Sequence, residues 1–508
     1  MTFASIVVEV VFCATLMHVG WVFLRGVGID GFARFALAFV VGALVYVSSL
    51  VILVVIGLPS TPLVALAVAL CVAHGTHAWT WRTRGAASRT VHYRGMRWRL
   101  DVVTVLVVGV LVAVTMPGID AVTYIKHVDS FEYIAIAGML NVQTLDEGVS
   151  LYQLQKRQLV VPALHAPAHY ADAFYLRSVT PAFALSTVLF MVLIVVASRR
   201  GDADGVQTSR LVSVLVIALG VGLLVTQNRF VMHAFYINGH LLYGLLSAVV
   251  AGSAWLVARR SVDAVAGWST VAGISMAVMQ LTRVEGFVLT TALLVPILTS
   301  ERIPLAFRVA SLAGYGVGAV VWHGYLVTLG VTGLEVVGPL GVGVAALLLL
   351  TLLPRLTPAI VRYGRWIQSA YLVGLFAVLG ALTVRDQGLG QRSWDAFVAN
   401  SLSSEGYWGI GLLSLASVTV FAWILLRDSD RLHFSMPILA FLPQTFVIAY
   451  LRDAAYRVGG GDSLNRMLIQ VVPLMVAFVV VSLLGASTTW REVRAPVRED
   501  VAREVVHE

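Results

Sequence analysis

Apolar runs follow one another along this chain with so little polar sequence between them that only a lipid-embedded fold can bury them. Crossing about 30 Å of hydrocarbon takes roughly 17–25 helical residues. Stretches of that kind lie near 5–25, 34–57, 61–80, 101–117, 179–198, 211–226, 239–258, 266–282, 286–300, 309–331, 336–353, 366–384, 407–426, 433–451 and 467–485. Composition agrees, with 59% hydrophobic and 12% charged residues and a mean hydropathy of +0.87, where soluble domains carry roughly a quarter charged residues. The expectation is an all-α, polytopic integral membrane protein of about fifteen transmembrane helices.

Charge sets the orientation. The formal charge is +8, and of 35 basic residues only Lys126 and Lys156 are lysine. If the C-terminus is cytoplasmic, 24 of the 35 fall in loops on that side, including six arginines from Arg82 to Arg99. The opposite orientation puts that six-arginine loop outside, against the positive-inside bias. The N-terminus is therefore expected outside, the C-terminus in the cytoplasm, and the protein in the inner (cytoplasmic) membrane. The basic excess is topological and implies membrane lipids, not nucleic acid, as its partner. Cys13 and Cys71 both fall inside apolar spans, which suggests neither a disulfide framework nor a thiolate metal site. No basic region precedes the first apolar run and Glu9 interrupts it, so it reads as a retained span. Residues 1–100 form a three-span extension with a basic loop, 101–487 the main membrane module, and 488–508 a hydrophilic tail. The runs 266–282 and 286–300 are short and joined by the tight Thr282-Arg283-Val284-Glu285-Gly286 connection, where the count is most open to change.

Nearly all charge on the outer side gathers in segments 118–178, 385–406 and 452–466. In the first, Asp129 opens an apolar stretch, Phe131 to Leu140, too short to cross a bilayer, which suggests a juxtamembrane helix lying at the interface. Asp129 with Glu132 three residues later is a capping-box pattern. Asp129 could also be a general base, one carboxylate oxygen serving each purpose. Asp120 follows Pro117-Gly118 and reads as a second acid or a turn residue. His165 and His169 have metal-ligand chemistry, but Pro167 between them disfavours the helix that would align them, so acceptor positioning or loop structure is the reading. Gly459-Gly460-Gly461-Asp462 is a flexible turn and lacks the strand and lysine of a nucleotide cradle. Trp394 and Tyr407 suit sugar stacking or an interfacial aromatic belt.

Val128-Asp129-Ser130-Phe131-Glu132-Tyr133-Ile134-Ala135-Ile136-Ala137 resembles the acidic segment in the first large outer loop of GT-C fold glycosyltransferases. Gln280-Leu281-Thr282-Arg283-Val284-Glu285-Gly286 resembles the turn between two middle spans of these enzymes. Asn465-Arg466-Met467 followed by Pro473-Leu474 resembles the opening of a late span. The resemblance covers residues from about 101 to 485. It implies an inverting transfer of sugar from a polyprenyl-phosphate donor to a glycan or lipid acceptor of the cell envelope. Asp129 would take the acceptor's proton, while arginines, whose planar fork matches phosphate oxygens, would hold the departing lipid phosphate. Arg283 and Arg466 come first in that role, with Arg229, Arg457 and Lys126 behind them; Glu132, like Asp120, is a possible second acid. For each arginine the alternative is snorkelling or pairing with a nearby acid, as Arg283 with Glu285 or Arg457 with Asp453. Ser130 stands where a second acid could follow Asp129, and Met467 where an aromatic is common. A divalent cation, Mg2+ or Mn2+, therefore remains an open cofactor. The competing readings are a lipid-linked-sugar flippase or transporter, and a non-catalytic membrane protein of the same architecture.

Overall fold

The computed structural model describes residues 3–84, 128–142, 157–198, 210–331, 334–353, 357–403, 405–425 and 431–492. Among them regular structure is helical throughout. Ten helices of the described residues are long and apolar enough to cross a membrane: Phe3–Val27, Gly31–Val55, Pro62–Thr83, Val179–Ser198, His240–Ala258, Val265–Thr282, Leu305–Thr328, Gly364–Arg385, Leu432–Leu451 and Ser463–Gly485. The protein is thus a multi-pass membrane protein. The fifteen-span expectation loosens in a specific way. Three expected spans appear as apolar helices of 10–17 residues, Arg210–Val225, Gly286–Thr299 and Gly411–Ile424, the 336–353 run is the 19-residue helix Leu334–Leu352, and the 101–117 run lies outside the described residues. At 1.5 Å per residue, Gly286–Thr299 reaches only about two-thirds of the way across a hydrocarbon core. It is further divided at Thr290 and carries Pro296 inside its second part.

The centre of the bundle is His240–Ala258, every residue of which is buried. Around it pack Val179–Ser198, Val265–Thr282 and the Val472–Glu492 helix. In the last of these, helix continues to Glu492, four residues beyond the point where the hydrophilic tail was expected to begin. Gly364–Arg385 lies at the opposite extreme, almost wholly on the outside of the bundle, as suits a lipid-facing apolar helix.

The first two helices show how such packing is achieved without a hydrophobic drive between apolar surfaces. A Cβ on Gly20 would sit 1.8 Å from the Ala38 carbonyl oxygen, and one on Gly42 would sit 1.7 Å from that of Leu16. Small residues let the two backbones touch, the usual device of helix pairs in lipid. The same pair is joined to the rest of the bundle: Gly31–Val55 packs on Val179–Ser198 and on Val265–Thr282. Glu9, buried in the first helix, accepts the Arg177 and Ser178 amides at 3.0 and 3.1 Å, which caps the chain where it enters Val179–Ser198.

The segments outside the long helices are themselves folded. Val128–Val142 is a helix that buries Asp129, Tyr133, Ile136, Ala137 and Leu140 and leaves Phe131 exposed. It packs on Val160–His165 and on the 3-10 turn Ala166–Ala171. The 385–406 segment, expected as a charged loop, is the helix Gln387–Leu402, capped by Asp386 through the Leu389 amide at 2.9 Å. Its apolar residues Leu389 and Ala396 pack with Phe446, Tyr456 and Leu464. Hydropathy alone misses such a helix because only one face of it is apolar.

Gly42→Val should therefore drive the first two helices apart and cost at least about 1–3 kcal/mol, the usual penalty for overpacking. It should lower the thermal midpoint in detergent by scanning fluorimetry. Gly324→Ala, which adds a methyl group to open space within a helix, should leave the midpoint unchanged or slightly raised.

Candidate functional site

Buried charges in an apolar protein are costly unless paired, and among the described residues most of them, Glu9, Arg229 and Arg308 apart, collect in one place. An open cavity of about 470 Å³ is lined by Asp129, Arg157, Arg283, Val284, Glu285, Arg452, Arg457, Val458, Gly461, Asp462, Ser463 and Arg466. Five arginines face three carboxylates, so the lining carries two positive charges in excess. Asp129, Arg283 and Arg466, each singled out in a separate sequence segment, come together here.

Asp129 lies in the first described turn of Val128–Val142. Its Oδ1 accepts from Arg157 Nη2 at 2.5 Å, and its Oδ2 accepts from Arg466 Nη1. Arg157 Nε donates to Glu132 as well. Asp129 and Glu132, the pair expected to form a capping box, both bond Arg157, a buried guanidinium shared between two carboxylates three residues apart. Arg466 Nη1 also donates to the Tyr236 hydroxyl at 3.2 Å, and Nε to the Asp462 carbonyl at 3.3 Å.

What aims Arg466 is local. Asp462 caps the short helix Ser463–Met467, accepting from the Leu464 and Asn465 amides at 2.9 and 3.4 Å. Its other oxygen accepts from the Arg457 amide at 2.9 Å. Burial pushes the Asp462 carboxyl above its ordinary value, and these amides act against that rise. Asn465 donates to the Gly406 carbonyl at 3.2 Å and accepts from the Trp408 indole.

Arg283 and Glu285 pair at 2.7 Å, as the sequence alternative proposed. Burial opposes the charge of Arg283, but Glu285, Tyr133 and Asp129 beside it outweigh that and hold the guanidinium more firmly protonated than usual. Burial likewise opposes ionisation of Glu285, and Arg283 overrides it, so the carboxyl sits below its ordinary value. The pair leaves Arg283 Nε and Glu285 Oε2 buried with no hydrogen-bond partner among the described residues. Arg452 and Arg457 line the cavity from its exposed side, and no ion pair between Arg457 and Asp453 forms among the described residues.

Other expected site residues fall elsewhere. Arg229 is buried but does not line the cavity; it donates Nε to the Gly406 carbonyl and Nη2 to the Gly460 carbonyl at 2.7 Å. It is a clamp between two loops, joining the Gly406 carbonyl, which Asn465 also reaches, to that of Gly460. His165 is buried, its Nδ1 accepting from the Leu176 amide at 3.2 Å, and His169 is exposed on the neighbouring 3-10 turn; neither lines the cavity. Asp120 and Lys126 lie outside the described residues. Arg157 and Arg452 are the lining cations that the sequence reading passed over. The signal for Arg157 was present: two acids spaced three apart on a helix, followed in the same segment by an arginine.

A resident Mg2+ or Mn2+ needs several oxygens free to face it. Among the described residues no group of three or more His, Cys, Asp or Glu side chains gathers to hold one, and both Asp129 oxygens face arginines. The donor set there does not fit a resident divalent cation. Comparisons with protein families, curated proteins and solved structures find no match to this chain.

Burial pushes the His165 imidazole down to about 4 and that of His233 down to about 3. The unfolded chain therefore binds protons more readily than the folded one. Stability is fully present above the ordinary histidine value of 6.5 and is lost as pH falls toward 4. For His165 the loss should approach about 3 kcal/mol at about 1.4 kcal/mol per pH unit, and His233 adds in the same direction. Thermal melts from pH 7 to pH 4 should show the fall, and His165→Gln should flatten it.

Proposed function

We propose that the chain is a membrane glycosyltransferase of the GT-C kind, moving a sugar from a polyprenyl-phosphate donor to a glycan or lipid acceptor of the cell envelope on the outer face of the cytoplasmic membrane. The observation that carries this reading is the meeting of Asp129, Arg283 and Arg466 at one cavity with an excess of arginine. Residues 129 and 466 are 337 positions apart in sequence and share a hydrogen bond.

In this reading the acceptor hydroxyl attacks the anomeric carbon as Asp129 takes its proton. The bond from that carbon to the phosphate oxygen breaks, and its electron pair leaves with the polyprenyl phosphate. That phosphate gains a second negative charge in the step, and fixed guanidinium groups stabilise charge that develops in a transition state. Arg466 and Arg283 are the inner candidates for the role, with Arg452 and Arg457 at the mouth. A phosphate oxygen at Arg283 would also satisfy its unpartnered Nε.

The distribution of charge favours this reading over transport. Apart from Glu9, the charged residues of the ten long helices lie within about a turn of an end. Glu9 itself is engaged with backbone amides. Transport of a polar headgroup calls for charges along a path through the membrane.

Asp129→Asn should lower sugar transfer by at least about 10²-fold, in line with loss of a general base, while binding of polyprenyl phosphate in nanodiscs is retained or tightened, because a competing carboxylate leaves Arg466. Transfer by the mutant at the wild-type rate would remove Asp129 from the chemistry.

A further inference from the structure

Arg157 differs from every other cation of the cavity in what it binds. Its hydrogen bonds go to two carboxylates, Asp129 through Nη2 and Glu132 through Nε, one turn apart on the same helix. Its guanidinium carbon lies 5.6 Å from the centre of the Tyr133 ring, and it is 4% exposed. The next residue, Gln158, is buried with φ of 55°, a backbone conformation that a side chain of that size adopts only where its surroundings impose it. Two acids that would repel each other are thus held by one buried cation on a constrained turn.

Arg466 is less committed. Its Nη1 is shared between Asp129 Oδ2 and the Tyr236 hydroxyl, and it belongs to the arginines placed for phosphate. A phosphate entering the cavity competes with Asp129 for Arg466, whereas Arg157 has its charge already divided between two carboxylates. Among the described groups that face Asp129 are Arg157 and Glu132 on one side, Arg466 and Tyr236 on the other, and Arg283 beyond them.

We propose that Arg157 is a positioning residue that holds Asp129 by Oδ1 throughout the reaction, so that Oδ2, released by Arg466 to the donor phosphate, is the oxygen that takes the acceptor's proton. This rests on the proposed glycosyl transfer. The acceptor O–H proton goes to Oδ2, the new bond forms from that acceptor oxygen to the anomeric carbon, and the phosphate departs toward Arg466 and Arg283. Release of the proton to water then resets Asp129.

Two measurements on the full-length protein in nanodiscs test it. In an infrared pH titration, the Asp129 carboxyl band, assigned by its loss in Asp129→Asn, should move its midpoint up by about one pH unit or more in Arg157→Gln, because a neighbouring cation favours the carboxylate. Arg157→Lys should restore much of that shift, and the acid limb of the transfer rate should move with the band. In a binding assay with farnesyl phosphate as probe, Arg157→Gln should stay within about threefold of wild type while Arg466→Gln weakens binding at least about tenfold. Equal losses in the two variants would make Arg157 a phosphate ligand and overturn the proposal. An unmoved midpoint in an active enzyme overturns the role of Arg157 alone. A wild-type protein that transfers sugar from no polyprenyl-phosphate donor overturns the proposed function, and with it the proton transfer.

Discussion

One carboxylate, held between two buried arginines, ties the functional end of this protein together. Asp129 on the Val128–Val142 helix joins Arg157 behind it and Arg466 from the last long helix. Leaving such a charge buried without its partner typically costs about 3–5 kcal/mol, so the three residues can keep their places only together. The loops around them are fixed by the same need to satisfy buried polar groups. Asp462 caps the turn that carries Arg466, Asn465 reaches the Gly406 carbonyl, and Arg229 clasps the carbonyls of Gly406 and Gly460. Residues that do not touch the cavity thereby decide its shape.

The N-terminal helices contribute to that support from a distance. Tyr46 in the second helix donates to the Ala163 carbonyl at 3.0 Å, within the Val160–His165 helix on which Val128–Val142 packs. Glu9 fixes the chain at Arg177 and Ser178. Helices that read in sequence as an extension to the membrane module therefore brace the segment that carries Asp129. Close backbone contact at Gly20 and Gly42 keeps that brace rigid.

Much of this was legible in the sequence, and the exceptions have physical causes. Apolar runs locate helices because lipid demands them, and the short helix after Asp129 showed as a run too brief to cross. Asp129, Arg283 and Arg466 could be picked out because they stand beside apolar runs in three segments that resemble motifs of one enzyme family. Arg157 stood out less: its neighbours are polar, and only the two acids three residues apart earlier in the same segment pointed to it. Arg229 was misjudged for the converse reason, since a span-end arginine bonded to backbone carbonyls looks the same in sequence as one awaiting a phosphate. The helix Gln387–Leu402 was missed because its apolar residues cover a single face, and hydropathy averages that away. Gly286–Thr299 looked like a span because apolar content, not the break at Thr290 or the proline at position 296, dominates such a window.

The central claim is that this cavity receives a lipid-linked phosphate by exchanging it for the Asp129 carboxylate on Arg466. A cryo-EM structure of the full-length protein in nanodiscs with bound polyprenyl phosphate tests it most directly. The account predicts phosphate density within hydrogen-bond distance of Arg466, roughly 3 Å, with Asp129 still held by Arg157 and parted from Arg466. Phosphate bound elsewhere, or bound here with the Asp129–Arg466 pair intact, would contradict it.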